Sequence, residues 1–372
     1  MPTDHNTRRV TVLYPNDLPA DAGNQDLYGY AHHDTRQIVV VAVENPPAGC
    51  SNLSSELDGP RLEASYEADG WHFHWQGEPC TAQPYGLTSD LFSRHTGLLE
   101  TTAMQRSGAI VCGCGSVGSL AALDLARSGV GRFLLIDDDI LAIENLCRHQ
   151  CGLPDVGRFK AKAVADRIRQ INPAASVQVH CTTLERLNPA TLTDFTTQQP
   201  NLLLACADSR RADHYAARLA SQLQIPFLSI GLWERAFAGE LFYWHPQAPM
   251  PCYSCAFQGL TAGLQQQQPE PRRRFYSTET ELEKLNFQPG IGVDIAFVTQ
   301  IGLKLALDLL NLGQANHVPR LLNHLSQYTL VCNSNDARLG GTTAQIFSHP
   351  LQVTTSIQVK ARENCPICQE QR

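Results

Sequence analysis

The sequence predicts an α/β fold, and three observations carry the prediction. Between about residues 89 and 251, short apolar runs alternate with helical patterns, as in repeated βαβ units. A glycine-rich turn, GCGSVG from Gly113 to Gly118, directly follows the first of those strands. Residues 1 to 88 hold strand-like runs broken by Pro, Gly, Asn and Ser clusters. Together they describe a Rossmann-like body with a mixed sheet over residues 89–372, behind a small α+β or β-rich accessory domain over 1–88.

In the first zone, Ile38 to Val43 is an uninterrupted β-favouring run. Trp71 to Trp75 alternates aromatic residues with His72 and His74, the period of a half-buried strand. Histidines facing solvent are the simpler reading there, and metal binding is the alternative. In the second zone, Ala109–Cys112 reads as a buried strand and Ser119–Arg127 as a helix stopped at Gly129. Arg132–Ile136 is the next strand. Val164, Ile168 and Ile171 share a helix face that Pro173 closes. Leu202–Ala205 and Pro226–Ile230 supply further strands. The third zone begins near 252. Its polar stretch at 265–274 is expected to be a loop, followed by an apolar helix over Val293–Leu312 and strand-like alternation before Cys365.

Bulk properties narrow the class. The chain has 372 residues, 43% of them hydrophobic and 17% charged, enough for a large core and an accessory module. A net charge of -7 provides no general attraction to nucleic acid or anionic membrane, so neither is an expected partner. The first residues lack a signal-type apolar core, and no run reaches the roughly 20 apolar residues that span a bilayer. A cytoplasmic location is expected. Thirteen cysteines in a chain of this kind point to metal or reactive thiols rather than disulfides.

The chemistry concentrates around the glycine turn. Glycines there let backbone N–H groups and a helix N-terminus approach phosphates. Alone, the pattern does not separate a dinucleotide from ATP, or from a turn with no ligand. Asp137, at the end of the next strand, is placed to accept hydrogen bonds from a ribose. Asn145, Arg148 and Lys160 then bring an amide and two cations toward the phosphates. A hydride-transferring enzyme has no need of them, whereas transfer of AMP builds charge that Arg and Lys stabilise. Asp208, past the strand from Leu202, is placed to hold Mg2+ through carboxylate oxygen.

The run from Gly113 to Pro173, with Asp208 beyond it, resembles the ThiF/MoeB family, whose fold is shared by ubiquitin-activating enzymes. The similarity covers about residues 90 to 370. The resemblance implies an ATP-dependent adenylyltransferase that joins AMP to the C-terminal carboxylate of a small protein or peptide and releases pyrophosphate. It implies Gly113, Gly115 and Gly118 at the phosphates, Asp137 at the ribose, Asn145, Arg148 and Lys160 at the triphosphate and Asp208 at Mg2+. Asp139 is a second acidic match. Phe92 to His95 resembles a family segment whose arginine crosses a dimer into the partner's ATP site, which implies a homodimer and that role for Arg94. An exposed arginine on a linker helix is the plain alternative.

A second signal stands apart. Cys252 and Cys255 form one CxxC pair, Cys365 and Cys368 another, and two such pairs supply four thiolates for tetrahedral Zn2+. With every position filled by sulfur, the metal's role is structural; free or redox-active thiols are the alternative. Related activating enzymes that form a thioester usually carry a cysteine before the last apolar helix, and residues 256–331 contain none. Cys147 and Cys151 flank Arg148 and are the alternative to a chain without a nucleophilic thiol, since a neighbouring cation lowers a thiol pKa. Cys112, Cys114 and Cys206 are expected to pack as small apolar residues. Leu339–Gly341 is expected to form a turn, and Arg272–Arg274 a solvated run.

Two activities follow from the resemblance. One is activation of a ubiquitin-like protein in a bacterial-type conjugation or sulfur-carrier system, alongside a separate conjugating enzyme. The other is peptide nucleotidylation of the microcin C maturation type. A non-catalytic adaptor, the reading from a different class, is expected to lack Asn145, Arg148, Lys160 and Asp208, and all four are present.

Overall fold

A computed structural model describes residues 9–43, 46, 49–55, 61–233, 236, 238–257, 290–333, 354–362, 365 and 368. The expected features at 265–274 and 339–341 lie outside those residues. The chain divides into two compact units, Met1–Arg94 and His95–Arg372.

The first unit contains β1 (Thr11–Pro15), β2 (Tyr28–His32), β3 (Gln37–Ala42), β4 (Ser51–Asn52), β5 (Leu62–Glu67), β6 (Gly70–Trp75), β7 (Glu78–Pro79), β8 (Thr81–Tyr85) and the short helix α1 (Leu87–Leu91). Five strands form one sheet in the order β4-β2-β3-β1-β8, and β5-β6-β7 form a second. The alternation at Trp71–Trp75 resolves as a strand with one buried face: Trp71 and Phe73 are buried and stack at 5.8 Å between centroids. His72 and His74 are on the other face, where His72 pairs with Asp69 at 2.8 Å. Val12, Ile38, Val40 and Leu62 complete this unit's core.

The second unit runs α2 (Thr101–Arg106), β9 (Gly108–Cys112), α3 (Ser116–Arg127), β10 (Arg132–Ile136), α4 (Lys160–Ile171), β11 (Ser176–His180), α5 (Pro189–Thr196), β12 (Asn201–Ala205), α6 (Arg210–Gln222), β13 (Phe227–Leu232), β14 (Ala238–Trp244), α7 (Gly292–Leu310), β15 (Tyr328–Cys332) and β16 (Thr354–Ile357). Its eight-stranded sheet has the order β11-β10-β9-β12-β13-β14-β15-β16. The first five strands are parallel and the last three join antiparallel, so the sheet is mixed, as predicted.

Every residue of β9 and β12 is buried because helices cover both faces, which is why these strands read as continuous apolar runs. One core joins α3, α4 and α7 to the sheet, and the other places α5, α6, Tyr253 and Phe257 on the opposite face. The helix after β9 begins at Ser116, three residues before the expected Ser119, because the turn's own small residues enter its first turn. From β9 the chain crosses to β10 on one side, while β12 lies on the other. The strand order therefore reverses between β9 and β12, and their carboxyl ends diverge into a crevice.

Candidate active site

A cavity of about 850 Å³ opens at that reversal. The glycine turn forms its floor. Gly113 has φ +92°, and a Cβ there would come within 2.9 Å of the Cys206–Ala207 backbone, so the position admits glycine alone without strain. Gly115 caps α3, and a Cβ on it would meet open space, leaving the helix N-terminus bare toward the cavity. Gly118 is placed differently. It does not line the cavity; a Cβ there would fall 1.8 Å from the Gly113 carbonyl, so Gly118 lets α3 close onto the turn.

Asp137 directly follows β10 and braces the same turn. Its Oδ2 accepts from the Cys114 N–H at 2.6 Å and its Oδ1 from the Asp139 N–H at 2.8 Å. Burial pushes its carboxyl above the ordinary range, opposed by those two amides and by Lys160. Lys160, the first residue of α4, holds Asp139 at 2.7 Å. Asn145 caps a short 3-10 turn by accepting from the Ala142 N–H at 3.0 Å. Arg148 lies beside Gly290 at the approach to α7. Asp208 is exposed beyond β12, three residues past its end.

Gly113, Gly115, Asp137, Asp139, Asn145, Arg148, Lys160 and Asp208 all line this one cavity. Arg94 is exposed in the 3-10 turn Ser93–His95, outside the lining set.

Two functional candidates escape a reading by motif. His149 is buried in the cavity wall, donates from Nε2 to the Cys114 carbonyl at 2.8 Å and accepts at Nδ1 from the Cys151 N–H at 3.0 Å. Those bonds need the neutral ring with hydrogen on Nε2, and burial lowers its pKa accordingly. Its place after Arg148 was visible, but its partner 35 residues away was not. Asp213, on the first turn of α6, also lines the cavity and accepts from Ser229 and Tyr253.

The thiols differ sharply. Burial pushes Cys151 up to about 12 and also raises Cys112, Cys114 and Cys206. Of the two alternative nucleophiles, Cys151 is the enclosed one: it is 4% exposed, and desolvation outweighs the nearby arginines. Cys147 is exposed.

Cys252, Cys255, Cys365 and Cys368 converge elsewhere, with all four sulfurs within 4.8 Å of one another. Individual Sγ–Sγ distances are 3.7 Å for Cys252–Cys255, 3.6 Å for Cys252–Cys365 and 3.6 Å for Cys255–Cys368. A tetrahedron with Zn–S bonds of about 2.3 Å needs edges of about 3.8 Å, so the four thiols fit that ion closely. The cluster is consistent with a zinc site.

The ThiF family's sequence model matches residues 90–354, and the chain belongs to the ThiF family. Among curated relatives, a ubiquitin-like modifier-activating enzyme 5 of Drosophila ananassae is 29% identical over 58% of this chain and 56% of its own. The Caenorhabditis elegans protein of that name is 30% identical over 39% of this chain and 36% of its own. A tRNA threonylcarbamoyladenosine dehydratase of Escherichia coli K12 is 50% identical over 18% and 26%. The chain thus spans at most about half the length of these relatives. Among solved structures, Escherichia coli MccB with MccA-N7isoASN superposes at TM-score 0.52 and 15% identity over 76% of this chain and 74% of that one, a likeness of fold. Among the described residues, no helix is long and apolar enough to cross a membrane.

Proposed function

We propose that the protein adenylates the C-terminal carboxylate of a ubiquitin-like protein. The observation that carries this reading is the convergence of the glycine turn, Asp137, Asn145, Arg148, Lys160 and Asp208 on one cavity of a ThiF-family chain. A carboxylate oxygen attacks the α-phosphorus of ATP, the bond to the bridging oxygen breaks, and pyrophosphate leaves with its electron pair. Lys160 and Arg148 stabilise the charge gathering on the phosphates, and Asn145 donates to them. Lys160 must exchange Asp139 for phosphate, a move along an exposed carboxylate that costs little. Asp137 holds the turn and accepts from the ribose. Asp208 offers a hard oxygen ligand for Mg2+, which supplies charge neutralisation at the phosphates when bound. Structural zinc at the four cysteines, a homodimer with Arg94 reaching the partner's cavity, a partner-binding role for residues 1–88 and a cytoplasmic site of action complete the reading.

Nucleotidylation of a peptide is the second reading. Two observations favour it: residues 256–331 hold no cysteine, and Cys151 is buried with a raised pKa. Intact-mass analysis with ATP and candidate partners separates the two. A partner-AMP adduct or a thiol-sensitive complex with a ubiquitin-like protein supports the first, and a stable nucleotide-bearing short peptide selects the second. Pyrophosphate exchange that survives both Lys160→Ala and Asp208→Ala sinks both. Mixing inactive Arg94→Ala with inactive Lys160→Ala is expected to restore up to about a quarter of the sites through mixed dimers. No recovery removes the shared site.

A further inference from the structure

The cavity runs along the carboxyl ends of five neighbouring strands, and its lining changes character from one end to the other. Thr182 and Leu184 follow β11, Asp137 follows β10, the glycine turn follows β9, Asp208 lies past β12, and Leu232 and Trp233 stand at the end of β13. A nucleotide whose ribose meets Asp137 and whose phosphates meet the glycine turn lies over the β11, β10 and β9 part of this row. The β13 end is the part it leaves open. There the wall is apolar, formed by Leu232, Trp233, Ala236 and Ile295. A Cβ on Gly290 would lie 3.6 Å from Ala236 Cβ, 3.6 Å from Ile295 Cδ1 and 3.7 Å from Arg148 Nη1. Glycine there leaves open the space that those three groups border. The apolar end thus abuts one of the cations assigned to the triphosphate.

Trp233 is half-buried in that wall, and its position is fixed from behind. Its indole Nε1 donates to Glu240 Oε2 at 3.3 Å, and the Tyr328 hydroxyl donates to the same oxygen at 2.7 Å. Arg210 pairs with Oε1 while its guanidinium lies 4.2 Å over the Phe257 ring. Glu240 is buried, and of Trp233, Glu240, Arg210 and Tyr328 only Trp233 lines the cavity. An ion pair taken out of water is a costly way to fill a core, and here it holds the edge of one cavity-lining ring. The backbone is held as well. The Trp233 N–H donates to the Ala238 carbonyl at 2.9 Å, and the Trp233 carbonyl accepts from the Ala236 N–H at 2.8 Å. Ala236 has φ +56°, a left-handed conformation that is strained for a residue with a side chain. Asn333 Nδ2 clamps it, donating to the Ala236 and Asp294 carbonyls at 2.8 and 3.0 Å. The result is a rigid aromatic surface inside a binding cavity, which loses little freedom when a ligand packs on it.

We propose that the β13 end of the cavity is the subsite for the residue that bears the attacking carboxylate, and that it selects an apolar side chain by packing it on the Trp233 indole. This assignment rests on the adenylation reading above and names the chemistry of the substrate's last residue, whether that substrate is a ubiquitin-like protein or a peptide. Trp233 is then a specificity-determining residue. A glycine at the end of the substrate leaves the apolar wall uncovered, and a polar side chain gives up its water against it without gaining a partner there.

The test is calorimetry on the full chain with stable mimics of the acyl-adenylate. The ligands are sulfamoyl adenosines carrying an N-acetylleucyl, N-acetylasparaginyl or N-acetylglycyl group, so that the same nucleotide half anchors each acyl group. Wild type is expected to bind the leucyl mimic at least about tenfold tighter than the other two, as burial of its side chain predicts. Asparagine matches leucine closely in shape, so the comparison isolates polarity. Trp233→Ala is expected to reduce that ratio to about twofold while leaving the affinity for ATP, which does not extend to β13, within about twofold of wild type. Equal affinities of wild type for the three mimics, or a preference for the asparaginyl or glycyl one, overturn the subsite. An unchanged ratio in Trp233→Ala with a wild-type melting temperature overturns the role of Trp233. If that variant does not fold, Trp233→Phe decides: the change in tryptophan emission caused by the leucyl mimic in wild type is expected to vanish, and a change of the same size overturns the role. If ATP binds and Lys160→Ala weakens it while the mimics bind alike, the subsite falls alone. If wild type binds neither ATP nor any mimic, the adenylation reading falls together with it.

Discussion

The nucleotide-sized cavity and the four-cysteine cluster are both polar sites in the same unit, yet they are built on opposite rules. Cavity groups keep unspent capacity: Asp208 is exposed, Lys160 holds only a carboxylate that is itself open to solvent, and the Gly115 end of α3 is uncovered. The cysteines keep none. Cys252, Cys255 and Cys365 are buried, each sulfur faces other sulfurs, and the pairs meet across 113 residues of chain. A site that must bind and release leaves its hydrogen-bonding groups free, whereas one that must only hold saturates them. The two are joined at one point, because Tyr253, between Cys252 and Cys255, donates to Asp213 in the cavity wall.

The contrast can be broken most forcefully at Lys160. Lys160→Ala is expected to lower pyrophosphate exchange by a factor on the order of a hundred to a thousand while leaving the melting temperature within a few degrees. An equally large loss of stability would place Lys160 among the holding groups instead.

Cys365→Ser is expected to do the reverse. It removes one ligand from a closed site and should cost roughly 3 kcal/mol or more of stability, read as a fall in melting temperature. Zinc in the purified chain should fall from about one equivalent toward none. If the variant keeps both its zinc and its stability, the cluster is not a metal staple.

The smallest expected effect lies in pH, read at the cavity. His149 has a lowered pKa in the folded chain, so its contribution is fully present above its unfolded value of about 6.5 and is lost as pH falls below it. Protonation puts hydrogen on Nδ1 against the Cys151 N–H and loosens the turn that Cys114 belongs to. Nucleotide binding should therefore weaken by a few-fold between about pH 7 and 5.5, and His149→Gln should remove that acid limb. An unchanged acid limb in the variant assigns it to another group.

Much of the site was legible because its signals are local. The glycine turn, Asp137 and the Asn145–Lys160 segment follow in order along the chain, and each sits where a strand ends or a helix begins. The cysteine pairs were legible for a different reason, since thiolates at that spacing have few other uses. What was missed lies in strands and helices whose patterns are mixed. In β14 the run Ala-Gly-Glu-Leu-Phe-Tyr-Trp is buried throughout, and Glu240 within it reads as a reason against a core strand. It is buried because Arg210, Trp233 and Tyr328 surround its carboxylate.

The sequence by itself therefore determined the α/β class, the order of its motifs along the chain, most of the residues that line the cavity and the four cysteines that cluster. Covalent neighbours set backbone geometry and helix ends, and those effects act over a few residues. Only the tertiary structure decided that Gly118 serves packing, that Cys151 is buried, that His149 clasps the glycine turn and that Asp213 has an oxygen without a partner among the described residues. Each of those depends on what surrounds a side chain once water is excluded, and residues far away in the chain supply those surroundings.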